Sequence, residues 1–411
     1  MNIGFVGLGK LGLPTALAVE AKGHRVFGCD PAPHVAAILR EKQYPHRECL
    51  VPDYLTRSRL ALASIDETVR DADIVFVAIQ TPNTRQFEGV TRLPAEREDF
   101  DYGPLKAGMA DVAQALERLG EDRIVVIIST VLPGTIRREI MPLLHTRVKL
   151  CYNPFFIAMG TTIQDFVEPE FVLLGVEDED AAEEVQRFYR TIHDAHIYKT
   201  SLENAELIKV LYNTFISTKI SFANMVMEMC DRLPGTEVDQ VLGGLHLARN
   251  RIISTRYLNG GMGDGGACHP RDNIALSFLA RKIGMSIDWF EFIMLQRERQ
   301  TDWLADLVER HADGLPIVLL GRSFKAQSSI EVGSAALLLK NVLEERGNRV
   351  ASWDPYVDPA AAMPTGAPMC YFVGTRHPEF ADFPFEAGSV VIDPWRFIKA
   401  RPGVTLVRVG G

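Results

Sequence analysis

The chain is poor in the features that would mark it as a metal, disulfide or membrane protein. Its six cysteines, at 29, 49, 151, 230, 268 and 370, form no CxxC pair and no His/Cys cluster at metal-ligand spacing. That excludes zinc and a disulfide framework as organising devices. No apolar run reaches the roughly 20 residues that cross a bilayer. The apolar N-terminus, MNIGFVGLGKLGLPTALAV, lacks the cationic region of a secretory signal, carries four glycines and continues into patterned sequence. Basic charge is also short. The 44 Lys and Arg against 53 Asp and Glu leave a net charge of −9, which argues against a face for duplex nucleic acid or an anionic membrane. A local basic pocket for a small anion stays open. These absences predict a reduced, cytoplasmic protein with no nucleic-acid or membrane partner. At 411 residues, 47% apolar and 24% charged, the chain exceeds one ordinary core and reads as two or three globular domains.

What the sequence does have begins at its N-terminus. An apolar run from Ile3 to Val6, a glycine turn, a helical stretch from Leu11 to Lys22 and HRVFGCD ending at Asp30 spell a strand, helix, strand unit. The turn is Gly7-x-Gly9-x-x-Gly12, placed where a dinucleotide-binding turn belongs. Gly7 permits the tight turn, Gly9 lets the backbone approach a pyrophosphate, and Gly12 allows close helix packing, while the helix N-terminus faces the anion. Asp30 is the residue type that bonds a ribose 2′-OH, which favours NAD over NADP.

DIVFVAIQTP (73–82) and RIVVIISTVLPGT (123–135) read as further strands of one parallel sheet. Ligands bind beyond the carboxyl ends of such strands, so Thr81, Ser129 and Thr130 point toward the cofactor crevice. For Ser129, capping of the next helix is an equal alternative. From Thr200 the period becomes helical through about Cys230, with Thr200-x-x-Glu203 as a capping box. Lys209 and Asn213 lie four apart on one face of this apolar helix, where a polar stripe asks for a partner. Helical sequence runs to about 312. LPIVLLGRSFK (315–325), a helix from about Ser334 to Arg346 and NRVASWDP then repeat the opening logic with a single glycine in the turn. Three segments result: 1–199, 200–312 and 313–411.

Taken together, seven stretches resemble the UDP-glucose/GDP-mannose dehydrogenase family over essentially the whole chain. They are the glycine turn, VAIQTPN, STVLPGT, YNPFFIAMGTTIQDF, ENAELIKVLYNTFISTKISFANMVMEMC, GMGDGGACHPRD, and GRSFKAQSSIEVGS with its closing WDPYVD. The resemblance implies an α/β fold of two Rossmann-like parallel-sheet domains, the first binding NAD and the last a nucleotide sugar, joined by a helical dimerisation region. It implies NAD-dependent oxidation of a sugar primary alcohol at C6 to a uronate, in a homodimer. The thiol of Cys268 would add to the intermediate aldehyde, giving a thiohemiacetal and then a thioester. Glycines around it would let backbone approach the sugar, and a helix N-terminus would favour the thiolate. By the same resemblance Lys209 and Asn213 stabilise an oxyanion, Asp272 helps activate a water and Thr130 positions it. Leu11, Thr81 and Thr130 join the glycine turn and Asp30 at the cofactor, and Phe155, Phe156, Ile157, Gly265 and Lys325 join Lys209 and Asn213 at the substrate. No metal is implied.

The chain departs from the family pattern at chemically directional places. Phe155 stands where the family has a proton-handling glutamate, and a phenyl group moves no proton. Met159 replaces a second glutamate of that loop. Asp264 and His269 flank the cysteine where aromatic residues are usual, and Ile330-Glu331-Val332-Gly333-Ser334 replaces a pattern with a cofactor-facing arginine. His269 then takes over as base, since imidazole titrates near neutrality, or only packs. Other readings stand beside the full oxidation: a reaction halted at the aldehyde, a different nucleotide-linked substrate, or a catalytically impaired protein that binds NAD and sugar nucleotide. A generic β-hydroxyacid-type dehydrogenase is disfavoured, because a small substrate needs no second α/β unit.

Overall fold

The computed structural model describes residues 1–232, 234–249, 259–263, 265–282 and 288–410. The chain divides into two compact units, 1–82 with 100–211 and 83–99 with 212–411.

The first unit is built on a sheet of seven described strands: β1 (Asn2–Val6), β2 (Arg25–Cys29), β3 (Ile74–Val77), β4 (Arg123–Ile127), β5 (Val148–Tyr152), β6 (Phe171–Val176) and β7 (His196–Ser201), in the order β2-β1-β3-β4-β5-β6-β7. The near-continuous apolar runs follow from burial on both faces; Ile3, Phe5, Ile74 and Phe76 are all buried in one core. Pairing is parallel from β2 to β5, with Ile3 opposite both Val26 and Ile74. The β5–β6 pair is antiparallel and the β6–β7 pair parallel again, so a single antiparallel step interrupts the sheet. The chain leaves β1 to one side for β2 and returns on the other for β3. That switch point puts a crevice beyond the carboxyl ends of β1 and β3.

The long helix, Leu202–Arg232, starts one residue later than the Thr200 box predicts. Thr200 still belongs to β7, and the Ser201 hydroxyl accepts from the Asn204 amide at 3.3 Å instead. Glu203 is drawn away by Arg137, whose Nε donates to it at 2.6 Å. The Ser129 hydroxyl caps no helix either: it donates to the Ile79 carbonyl.

The second unit carries the cysteine helix (Cys268–Lys282), the helix Trp289–Ala312 and an all-parallel sheet, β8 (Ile317–Leu320), β9 (Val350–Trp353), β10 (Cys370–Val373), β11 (Val390–Asp393) and β12 (Thr405–Arg408), in the order β12-β11-β10-β8-β9. The repeat legible in the sequence reaches the hydrogen bonds. Asp30 after β2 accepts from the Leu8 amide in the β1 turn at 2.7 Å, and Asp354 after β9 accepts from the Arg322 and Ser323 amides in the β8 turn at 2.6 and 2.9 Å. Burial opposes the Asp354 charge, yet His377 and these amides outweigh it and hold the carboxyl well below the usual range. Residues 83–99 group with this unit through ion pairs and main-chain bonds: Arg92 with Asp302, the Leu93 amide with Glu298 and the Asn341 amide with the Val90 carbonyl.

Candidate active site

In the first unit the glycine turn has the shape its spacing predicts. Gly7 has φ +95°, and a Cβ there would lie 2.7 Å from the Ala78 carbonyl oxygen; a Cβ on Gly12 would lie 2.0 Å from the Gly7 carbonyl. At Gly9 it would meet nothing within 4 Å. So Gly7 and Gly12 are required by the protein, while Gly9 opens backbone to an approaching group. The helix Gly12–Ala21 that follows Leu11 has no side-chain cap and no acid in its first turn, which leaves its positive end to an anion. Asp30 also holds the Ala32 amide at 2.8 Å. Each of its oxygens keeps a second lone pair for a ribose hydroxyl. Thr81 is buried and donates to the Thr130 carbonyl at 2.7 Å, tying together the turns after β3 and β4. These residues fit a dinucleotide.

The loop after β5 splits its two phenylalanines. Phe155 packs with the core, its ring 5.6 Å from that of Phe166. Phe156 is half-buried 4.8 Å from Phe171, and Lys209 Nζ lies 5.3 Å from its ring. Ile157 is half-buried against the same core as Phe155. The loop is anchored by buried Glu48, which accepts from the Gly160 and Thr162 amides at 2.6 and 3.2 Å. Another carboxylate, buried Glu206, accepts from the amides of Gly134 and Ile136 and so pins the turn that begins at Thr130.

In the second unit Cys268 is the first residue of its helix, exposed and unoxidised. Behind it the long helix presents a buried polar stripe that the cysteine segment reads in antiparallel register. Asn213 Nδ2 donates to Asp272, Ser217 Oγ bonds His269 Nδ1 at 2.7 Å, and Asn224 takes the Gly261 amide at 2.9 Å and the Gly263 carbonyl. Gln300 completes the clamp from its own helix, accepting from the Gly263 amide at 3.1 Å and donating to the Gly261 carbonyl at 3.0 Å. Asp272 is fully buried, its other oxygen on Arg271 at 3.0 Å. The glycines of this loop are close-packed by protein rather than held open for a sugar. A Cβ would lie 2.2 Å from Trp395 at Gly261, 2.7 Å from the His269 ring at Gly265 and 2.6 Å from Phe324 at Gly266. Phe324 in turn lies under Lys325, whose Nζ is 5.5 Å from the ring. Asp264 lies outside the described residues.

The sequence matches the UDP-glucose/GDP-mannose dehydrogenase family, NAD binding domain, over residues 1–193 and that family's central domain over 203–297. The chain belongs to the UDP-glucose/GDP-mannose dehydrogenase family. It is 27% identical to the UDP-glucose 6-dehydrogenase AglM of Haloferax volcanii, over 98% of this chain and 99% of that protein. It is also 27% identical to the GDP-mannose 6-dehydrogenase of Pseudomonas aeruginosa, over 87% of this chain and 82% of that one. Its fold superposes on a UDP-glucose dehydrogenase from Pyrobaculum islandicum with a TM-score of 0.86 at 26% identity, covering 100% of this chain and 97% of that one. The chain is therefore an NAD-dependent oxidoreductase acting on CH–OH groups, with NAD as cofactor.

For this dehydrogenase the residues that sequence reasoning missed are those that hold the cysteine loop, Ser217, Asn224 and Gln300. The spacing signal for the first two was present, because Lys209, Asn213, Ser217 and Asn224 continue one stripe along the long helix. Gln300 had none, being distant in sequence on another helix.

Proposed function

We propose that the chain oxidises the C6 primary alcohol of a nucleotide-linked hexose to the carboxylate, in two oxidations with Cys268 holding the intermediate. The observation that carries this reading is the exposed Cys268 thiol at a helix start, backed by the buried Asn213–Asp272 pair and clamped by Asn224 and Gln300. NAD, when bound, supplies the acceptor for the hydride lost in each oxidation. The Cys268 thiolate adds to the aldehyde carbon, giving a thiohemiacetal whose C–H is then oxidised to a thioester. Lys209 and the Asn213 amide stabilise the oxyanions of these steps. Asp272 orients the Asn213 amide, and Thr130 positions the attacking water. Phe156, Ile157 and Lys325 hold the substrate, Lys325 as the cation for its diphosphate.

The relatives' names support this position of oxidation, since both curated enzymes are named as 6-dehydrogenases of a sugar carried on a nucleotide. The cytoplasm, which holds nucleotide sugars and NAD together, is the compartment we assign; among the described residues no helix is long and apolar enough to cross a membrane. Incubation with NAD⁺ and a panel of UDP-, GDP-, CDP- and ADP-sugars, read by mass spectrometry, tests the proposal. At least one nucleotide sugar should gain 14 Da, the change from CH₂OH to COOH, by the arithmetic of replacing two hydrogens with one oxygen, in roughly the usual millimolar-or-below KM range. No NADH from any of them refutes it.

A further inference from the structure

In the sheet of the second unit the chain leaves β8 to one side for β9 and returns on the other for β10, so the turns after β8 and β10 flank one crevice. The first of these turns carries Lys325. The second carries His377, which is fully buried. His377 Nδ1 accepts from the Gln327 amide at 3.0 Å. A main-chain amide has a proton to give and no lone pair to offer, so Nδ1 is bare and the neutral imidazole carries its proton on Nε2. Nε2 lies 3.1 Å from both Asp354 Oδ2 and Ser323 Oγ. The amide at one end of the ring and the carboxylate at the other each have a single role, and both fix the same tautomer. Tyr356 lies over the ring with centroids 4.8 Å apart, and Phe380 meets it edge-on at 5.3 Å.

His377 is thus the post to which residues 323–327 are tied. Gln327 has φ +58°, a left-handed setting that is uncommon for a residue with a Cβ, and its amide bond to the ring holds it there. Ser323 passes the restraint on by donating to the Lys325 carbonyl at 2.9 Å. The same loop is locked against the cysteine segment. A Cβ on Gly266 would lie 2.6 Å from the Phe324 ring, and one on Gly333 would lie 2.4 Å from the Ala267 nitrogen. The Phe324 amide, bonded to the Ile330 carbonyl at 2.9 Å, joins these two contacts into one piece. Lys325 is therefore carried on backbone that touches the two residues before Cys268. We propose that His377 is a positioning residue for the substrate: its bare Nδ1 holds the 323–327 backbone where Lys325 meets the diphosphate, at a set spacing from Cys268. This rests on the roles of Lys325 and Cys268 given above. No proton or electron passes through the imidazole.

The test has two arms on the full-length protein. Spectra of ¹⁵N-histidine-labelled protein at neutral pH, with His377 assigned through His377→Asn, should show a protonated Nε2 and a bare Nδ1. A protonated Nδ1 overturns the assignment whether or not the chain is a dehydrogenase. In the second arm the KM values for UDP-glucose and for NAD⁺ are measured separately, with the other nucleotide sugars substituted if UDP-glucose gives no NADH. His377→Gln reaches toward Asp354 but offers the Gln327 amide no acceptor at the δ position. It should raise the sugar KM by about tenfold, the worth of one hydrogen bond, and leave the KM for NAD⁺, which the first unit binds, within about twofold. His377→Asn keeps an acceptor at the δ position and should recover most of that loss. An unchanged sugar KM in His377→Gln, equal losses in the two variants, or a matching rise in both KM values overturns the proposal. No NADH from the parent with any nucleotide sugar instead overturns the dehydrogenase reading, and the ring spectrum still decides the His377 assignment.

Discussion

Asp30 does two jobs with one carboxylate. It closes the glycine turn onto the end of β2 through the Leu8 and Ala32 amides, and it is the residue placed to meet the cofactor's ribose. A carboxylate accepts from a 2′-OH and repels a 2′-phosphate. NAD⁺ should therefore bind more tightly than NADP⁺ by at least about tenfold, the equivalent of one hydrogen bond to a charged group. Calorimetry with both nucleotides checks it, and Asp30→Asn should narrow the gap. Equal affinities in the parent would remove Asp30 from the site. Phe155 illustrates how far a single position can be read from sequence. Loss of the acid was legible, because it follows from the side chain alone. The ring's retreat to Phe166 was not, since it depends on which neighbours leave room.

Among the elements, those with one strong period were legible and their ends were not. The doubly buried strands of both sheets and the helix from Ala335 to Glu345, expected from about Ser334 to Arg346, follow from local pattern. The start of the long helix does not, because β7 extends through Ser201 and Arg137 competes for Glu203. The antiparallel step at β5–β6 likewise leaves no trace in an apolar run. The same helix carries Glu206, whose carboxylate pins the Thr130 turn. Burial pushes its carboxyl up from 4.5 to about 7, against the two amide bonds that favour the charge. With a folded pKa above the unfolded one, the folded state binds the extra proton. Its contribution to stability is then complete below pH 4.5 and lost as pH rises through about 7. Compared with Glu206→Gln by urea unfolding, the parent should lose relative stability between those limits and level off above them. A parental advantage that grows with pH would contradict this.

At the scale of the whole molecule, the long helix is polar where it meets the cysteine segment and also carries exposed apolar side chains. Leu211, Phe215 and Phe222 are 40%, 48% and 42% exposed, and Trp289, Phe292 and Leu295 on the neighbouring helical segment are exposed too. Such a surface asks for a second copy of the chain, and a homodimer is the assembly we expect. Light scattering should give about twice 45.8 kDa, and Phe215→Glu with Phe222→Glu should return it toward the monomer. A parental monomer at micromolar concentration would refute the assembly. Both oxidations turn on Cys268, and the number of NADH formed per substrate consumed tests its role most directly. With the nucleotide sugar that the panel identifies, the parent should form two NADH per uronate, and Cys268→Ser should form no uronate at an appreciable rate. One NADH with a free aldehyde from the parent, or two from Cys268→Ser, would contradict it.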